Sequence, residues 1–347
     1  MITLAQITRE KLKKFTRNRV PFFSAVLLTI IAGCSLVAPW IANDRPYLLS
    51  YRGQIFFPIV RPPSAIELDQ PDAYLVNYHN LKETAPQAWA IFPPIRFNPY
   101  ESNNTVQRFP SPPSLSNPLG TDDRGRDVFA RLLYGFRFSF LYALGFWLMS
   151  YTFGTIVGLC MGFYGGAVDF LGQRVVEIIV SMPSFFLLII LISIFEPSLS
   201  LLIGVSSLFG WITISFYMRA EAIRLRRLEF IEAARAIGQS NWKILVKHVL
   251  PNALTPLFTL SPFAIAASIA ALAQLDYLGF GLPPPTPSWG ELLNQARTHL
   301  TSAWWLAFFP SLALFGTLSL LISVGEGLKK AFDPKNSDFP SLGTAGP

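Results

Sequence analysis

The sequence predicts an all-α membrane protein with six transmembrane helices and a small proline-rich segment between the first and second helices. Composition is the first reason: 51% of the 347 residues are hydrophobic and only 14% are charged, whereas about one quarter of the residues in an ordinary globular domain are charged. The second reason is that the apolar residues form long uninterrupted blocks, since amphipathic surface elements alternate apolar and charged positions.

Six blocks meet or approach the length of about 20 apolar residues that a helix needs to cross the hydrocarbon core. These transmembrane segments are predicted at residues 20–42, 136–164, 174–195, 198–217, 252–275 and 305–328. Glu196, Pro197 and small neighbours separate the third block from the fourth, so one long broken helix is the alternative there. We favour two helices because proline ends a helix at the preceding residue and the joined block exceeds one crossing.

The first block follows a basic segment, as the apolar core of a secretory signal does. It is longer than such a core and ends in Pro39, Trp40 and Ile41 instead of a small-residue cleavage site. We therefore predict a retained first helix.

Lys and Arg cluster in three segments that six crossings place on one side of the membrane: residues 1–19, 218–251 and 329–347. The positive-inside rule makes that side the cytoplasm, with both termini on it. Residues 43–133 are then an external segment, and residues 134–328 form the core transmembrane domain. This orientation explains the net charge of +7, so no nucleic-acid partner is expected.

The external segment contains the proline pairs Pro62-Pro63, Pro93-Pro94 and Pro112-Pro113, which disfavour long regular elements. It also contains many aromatic residues, Tyr74 and Trp89 among them, which a disordered linker lacks. A small folded cap is predicted, which either binds a partner or only covers the helices.

The second helix carries a strip of small residues at every fourth position, formed by Gly154, Gly158, Gly162 and Gly166. Small residues let helix backbones approach closely, and that contact drives helix association in lipid. We predict a close helix crossing, within this subunit in preference to one with a partner subunit.

The sequence shows no pattern typical of catalysis or metal binding. The three histidines, His79, His248 and His299, are in no metal-ligand or nucleophile setting, and no Walker lysine loop occurs. Cys34 and Cys160 lie inside apolar blocks. We expect no catalytic residue, no metal and no cofactor, so ATP hydrolysis would require another chain.

Four acidic residues lie near the predicted spans: Glu177, Glu196, Asp276 and Glu326. Charge within a membrane often marks a proton relay. Because each residue lies toward a helix end, we favour an interfacial position.

The loop between the fourth and fifth spans has a distinct pattern. Its Glu232-Ala233-Ala234 run predicts a helix that ends at a left-handed Gly238, and Ser240 is placed to cap a second helix before Pro251 starts the next span. The alanines would form a low surface that fits a groove of another protein, and Glu232 would suit a basic partner. A short helix–turn–helix at the membrane face is predicted.

This loop resembles that of the permease subunits of ATP-binding-cassette importers. The matching positions, at the family's spacing, are Glu232, Ala233, Ala234, Gly238, Leu250 and Pro251. His248 replaces the isoleucine of the broad pattern, and a histidine there is familiar in the dipeptide, oligopeptide and nickel branch. The resemblance implies a type I importer fold in which this loop docks on a separate ATPase subunit.

Two external stretches resemble the same branch, and the likeness covers most of residues 110–335. The matching residues are Gly120, Thr121, Asp122, Gly125, Arg126 and Asp127 before the second span, and Pro287, Ser288, Trp289 and Gly290 after the fifth. The first external segment further resembles the larger permease of Yej-type importers of peptides and microcin C, through residues 41–46, 94–97 and 109–114.

The resemblance implies a bacterial inner-membrane subunit that forms half of a solute pathway for peptides or peptide-like compounds. Its implied partners are a second related permease, two cytoplasmic ATPase domains that hold ATP and Mg²⁺, an external substrate-binding protein and membrane lipid. Two alternatives remain: an ion-driven secondary transporter, and a membrane scaffold that transports nothing. The residues that line a substrate path are not identified by the sequence.

Overall fold

The computed structural model describes residues 13–70, 76, 78 and 88–332. Tyr74 and His79 lie outside the described residues, as do the ends of the predicted basic N-terminus and tail.

Helices dominate the described residues. The helices are α1 (Arg19–Leu36), α2 (Ala38–Ile41), α3 (Val128–Tyr164), α4 (Gly166–Val180), α5 (Ser184–Ile194), α6 (Leu199–Leu225), α7 (Glu229–Ala236), α8 (Asn241–Ile244), α9 (Leu250–Tyr277), α10 (Trp289–His299) and α11 (Trp305–Phe332). A 3₁₀ turn at Ile66–Leu68 and a π-helical turn at Leu245–Val249 accompany them. Three short strands are present, namely β1 (Leu48–Tyr51), β2 (Gln54–Phe56) and β3 (Trp89–Ile91). The predicted all-α class is confirmed.

Five helical segments in the described part of the chain are long and apolar enough to cross a membrane: α1, α3, α6, α11 and the continuous stretch Asn241–Tyr277. The pair α4–α5 makes a sixth span if it is counted as one, but it bends by 73°. The predicted third span, 174–195, is therefore not one straight helix. Pro183 precedes α5 and lacks the N–H that would continue α4, which explains the break.

The third and fourth predicted spans are separate, as favoured. Helix α5 ends at Ile194, and a new helix starts after Ser198, whose hydroxyl accepts a hydrogen bond from the Leu201 amide at 3.2 Å. That N-cap satisfies one of the free amides at the start of α6.

The chain folds as two compact units. The bundle unit contains the described residues 13–29, 141–271 and 316–332, and the sheet unit contains 30–140 and 272–315.

In the bundle unit, the predicted glycine strip of α3 packs against α6. A methyl group added at Gly158 would lie 2.8 Å from Met218 Cβ, and one added at Gly162 would lie 2.7 Å from Ala222 Cβ. Gly154 likewise faces Ile214. The predicted crossing within the subunit is confirmed for these three glycines. Gly166 does not continue the strip, because α3 ends at Tyr164 and Gly166 starts α4 with φ +54°.

In the sheet unit, the strands form an antiparallel sheet in the order β2-β1-β3, with Leu49 opposite both Phe56 and Ala90. The alternation of β1 turns Leu49 and Tyr51 toward a small core. Leu68, Tyr78 and Ala88 complete that core. The proline-rich segment is thus folded over its described residues, with strands of only three or four residues.

The close approach of α3 and α6 yields a testable prediction. Gly158→Ala should lower the free energy of unfolding by about 1–3 kcal/mol, because its methyl group overpacks the contact with Met218. Heat unfolding of the purified chain in detergent measures the effect. Gly204→Ala in α6 is the matched control, since no atom lies within 4 Å of its added methyl group. A Gly158→Ala chain as stable as the Gly204→Ala chain would contradict the contact.

Candidate functional site

One face of the loop between α6 and α9 packs on helix α6 within the bundle unit. Ile231, Ala234, Ile244 and Val249 are buried there. They join a cluster that includes the α6 residues Met218, Ala222 and Leu225. The amphipathic spacing of α7 explains this placement, because apolar positions three residues apart share one helix face.

Gly238 ends α7 as predicted, with φ +79°. The Gln239 amide donates to the Ala234 carbonyl at 3.1 Å, and the Gly238 amide donates to the Arg235 carbonyl at 2.9 Å. This pair of hydrogen bonds is the Schellman motif, which satisfies the free carbonyls at a helix end. Across the turn, His248 Nε2 lies 3.0 Å from Gln239 Oε1. The turn therefore has a defined shape.

The segment after the turn differs from the predicted separate helix. Ser240 occupies the N-cap position, but its side chain makes no capping hydrogen bond. The chain then continues as helix from Asn241 through the π turn into α9, so Pro251 does not mark a new start. A π turn shifts the hydrogen-bond register. Pro251 has no N–H to donate, and the Asn252 side chain donates to the His248 carbonyl at 2.7 Å.

The outer face of this loop is accessible. Glu232, Ala233, Gly238 and Pro251 are exposed, Leu250 and His248 are partly buried, and Ala234 is buried. Large apolar side chains beside them are also exposed, among them Phe230, Ile237 and Trp242, at 43%, 74% and 66%. The sequence reading missed these three. The sequence feature that could have identified them is an apolar residue at a position outside the buried stripe of α7 or α8.

Polar contacts connect this part of the bundle unit to the ends of α3 and α4. Arg219 Nε and Nη2 donate to the Asp169 carboxylate at 2.5 and 2.7 Å. Arg226 donates to the Gly162 carbonyl at 3.0 Å, next to the end of α3. The Arg235 guanidinium lies 5.6 Å from the centre of the Phe163 ring. These contacts join α6 to α4, and they join the residue after α6 and helix α7 to the end of α3.

In the sheet unit, the motif before α3 forms a buried ion cluster. Arg126 Nε donates to Asp122 Oδ2 at 2.6 Å, and its Nη2 donates to Glu291 Oε1 at 3.1 Å. Arg131 donates to Glu291 Oε2 and lies 3.4 Å from Asp122 Oδ2. Asp122, Arg126 and Arg131 are at most 2% exposed. Two cations thus face two carboxylates, which compensates their loss of hydration.

Asp127 caps the start of α3. Its Oδ1 accepts the Ala130 amide at 2.8 Å, and its Oδ2 accepts from Asn117 Nδ2 at 2.8 Å. Burial raises the pKa of the Asp127 carboxyl to about 6, against the lowering effect of these hydrogen bonds. The cap supplies an acceptor to the free amides of the helix.

Gly120 and Gly125 shape the turn that holds this motif, with φ of +81° and +77°. A methyl group added at Gly120 would lie 2.7 Å from Trp305 Nε1, and one added at Gly125 would meet the Phe109 ring. Between them, Thr121 Oγ1 accepts the Ser111 amide at 2.8 Å. A side chain is excluded at both glycines, because their positive φ disfavours one and because neighbouring atoms occupy the space it would need.

The second motif, residues 287–290, lies in the same unit. Ser288 caps α10 by accepting the Glu291 amide at 3.3 Å and donates to the Asp276 carboxylate. Trp289 Nε1 donates to the Leu132 carbonyl at 2.9 Å. Pro287 and Gly290 are buried beside them. The two motifs, far apart in sequence, therefore contact the same helix start.

Arg131 and Glu291 complete the ion cluster, and the sequence reading missed both. Glu291 follows Ser288 at the spacing of a capping box, a signal that marks a helix start. Arg131 was detectable as a cation in the first turn of a helix, where the helix dipole disfavours it.

The acidic residues near the spans differ in environment. Asp276 is buried and accepts the Leu282 amide at 2.6 Å as well as the Ser288 hydroxyl. Glu177 is half exposed and pairs with Arg174 at 2.6 Å, while Glu196 and Glu326 are exposed. The Asp276 carboxylate thus bonds to groups of its own unit.

The ion cluster predicts a large effect for one substitution. Glu291→Ala should cost about 3–5 kcal/mol, because it leaves Arg126 and Arg131 buried with excess positive charge. A urea titration followed by tryptophan fluorescence measures this, since Trp289 and Trp305 are buried in the same unit. Glu177→Ala removes an exposed ion pair and should cost about 0–1 kcal/mol. Equal costs for the two variants would contradict the cluster's role in stability.

Known proteins resemble this chain over most of its length. Residues 154–338 match the family described as binding-protein-dependent transport system inner membrane component. The chain is 40% identical to the inner membrane ABC transporter permease protein YejE of Escherichia coli, over 97% of this chain and 100% of that protein. It is 36% identical to the peptidoglycan transport system permease protein YejE of Agrobacterium fabrum, over 95% and 93% of the two chains.

A third relative is the dipeptide transport system permease protein DppC of Alkalihalophilus pseudofirmus, with 35% identity over 71% of this chain and 81% of that protein. The family match covers more than half of the chain, and the apolar helices agree with it. The resemblance found from the sequence motifs is confirmed: this chain is a multi-pass inner-membrane permease that belongs to the family of binding-protein-dependent transport system inner membrane components.

Proposed function

We propose that this chain forms half of the pathway of an ABC importer for peptides or peptide-like compounds. The observation that carries the proposal is its 40% identity, along nearly the whole chain, to an ABC transporter permease. Relatives named for dipeptide and peptidoglycan transport support a peptide-like substrate. A second related permease would supply the other half of the pathway.

The loop between α6 and α9 would be the docking site of a cytoplasmic ATPase subunit. Its exposed Phe230, Ile237 and Trp242 offer apolar contact area, and Glu232 offers a charge for a basic partner. Such a combination of apolar anchors and peripheral charge is typical of protein interfaces. The Schellman turn at Gly238 and the contacts with α3 and α4 would transmit a movement of the ATPase to the helices. Two ATPase domains would hold ATP and Mg²⁺, and this chain would have no catalytic role.

The same proposal sets the orientation. Both termini and the loop 218–251 would be cytoplasmic, and the segment 43–133 would be external, where a substrate-binding protein would deliver the substrate. The basic residues of the loop support this side.

Orientation is tested by labelling. In a chain with Cys34 and Cys160 replaced by serine and expressed without the ATPase subunits, a membrane-impermeant maleimide added to spheroplasts should label Leu115→Cys and leave Trp242→Cys unlabelled. Both positions are exposed, at 106% and 66%, so accessibility within the fold does not limit the reaction. Detergent-permeabilised cells should label both, which serves as the control. If only Trp242→Cys is labelled in intact spheroplasts, the topology is the inverse of the proposed one.

Transport is tested with the full complex in proteoliposomes. Uptake of a radiolabelled tripeptide should require ATP and the binding protein. Uptake without ATP would favour a secondary transporter, and a complex that takes up no peptide would favour a scaffold.

Gly238→Val should abolish uptake and ATPase co-purification, because the left-handed turn penalises a β-branched side chain.

The matched control for the turn is Gly279→Val in the sheet unit. Gly279 ends α9 with φ +82° and open space around it, so its substitution imposes a similar backbone strain. It should leave ATPase co-purification unchanged. If Gly238→Val also retains the ATPase and normal uptake, the assigned coupling role is refuted.

A further inference from the structure

The sheet unit contains a cavity of about 770 Å³. It is lined by Arg96, Phe97, Glu101, Asn103, Asn104 and Ser116, among others. Its volume is within the range of about 300–1,000 Å³ that small-molecule sites occupy. A short peptide fits such a space.

One carboxylate oxygen in this cavity has no partner. Oε2 of Glu101 is buried, and no group of the described residues forms a hydrogen bond with it. The neighbouring Asn103 is already engaged, since its Nδ2 donates to Asn117 at 2.7 Å and its Oδ1 accepts from the Thr105 amide at 3.0 Å. Buried polar groups without partners are rare in native structures, so each one requires an explanation.

Glu101 is held in this position by its backbone. The Asn98 side chain accepts the Glu101 amide at 2.8 Å and donates to Asp44 Oδ1 at 2.8 Å. Burial and the nearby Asp44 raise the pKa of the Glu101 carboxyl to about 7. A carboxyl with a raised pKa stabilises the fold below pH 4.5, and this contribution is lost as the pH rises through 7. At neutral pH the group therefore destabilises the unit unless a cation joins it.

We propose that this cavity binds an ammonium group, the α-amino group of a short peptide, with the Glu101 carboxylate as its direct partner. Arg96, which also lines the cavity, supplies a charge of the opposite sign for the peptide carboxylate. The choice of a peptide rests on the proposed function, while the site for an ammonium group rests on Glu101 alone. An ammonium supplies the hydrogen bonds and the charge that Oε2 lacks.

The test uses the full-length chain in lipid nanodiscs and saturation-transfer NMR with trialanine as the probe. At about pH 7.5, both the ionised carboxylate and the protonated amine are present in quantity. Trialanine should bind saturably, and N-acetyl-trialanine should bind at least about tenfold more weakly. Lowering the pH to about 5.5 should weaken trialanine binding by protonating Glu101.

Variants identify the carboxylate. Glu101→Gln should weaken trialanine binding by about tenfold or more, and acetylation of the peptide should then have no further effect. Glu67→Gln is the matched control, because Glu67 is an exposed acid of the same unit that already accepts from Ser64 at 2.7 Å. The peptide and pH comparisons on the wild-type chain need no variant to fold.

Equal affinity for the two peptides in the wild-type chain would overturn the proposal, as would wild-type affinity in Glu101→Gln. Either result leaves ATP-dependent uptake untouched as a separate measurement. Conversely, a complex that binds trialanine through Glu101 but imports no peptide would overturn the proposed function and retain the cavity.

Discussion

The contact between α3 and α6 is the interaction on which the bundle unit depends. No hydrophobic driving force brings apolar helix faces together in lipid, so helices associate through close packing. Gly154, Gly158 and Gly162 permit the close approach of α3 and α6. The same two helices end where the α6–α9 loop begins. Met218, Ala222 and Leu225 of α6 supply the buried surface on which the loop packs, because they continue the line of the crossing. A loop proposed to receive force thus rests on the contact between α3 and α6.

The sheet unit is organised by charge balance instead. Asp122, Arg126, Arg131 and Glu291 form a buried cluster whose two cations and two carboxylates neutralise one another. Buried ions are tolerated only when each has a partner, and removal of one partner is more costly than the pair is stabilising. The motif residues around them cap helices and close turns. Their side chains therefore position the loops to which they belong.

These two solutions fit the two environments of a permease. Where lipid surrounds a helix, glycine contacts avoid polar groups that would need water. In the segment proposed to lie outside the membrane, ion pairs and short strands organise a chain that is too rich in proline for long elements. The coupling role proposed for the loop and the ligand role proposed for the cavity would thus belong to separately stabilised parts of the chain.

Local chemistry in the sequence determined the helical class, the apolar spans, the left-handed end at Gly238 and the family. These features depend on residues within a few positions of one another, so one sequence contains their signal. Only the tertiary structure decided that Glu291 joins Arg126 and Arg131, that the span after Gly166 bends at Pro183, and that α8 runs on into α9. Pairings across more than a hundred residues and the hydrogen-bond register of a helix depend on packing, which residue spacing along the chain does not encode.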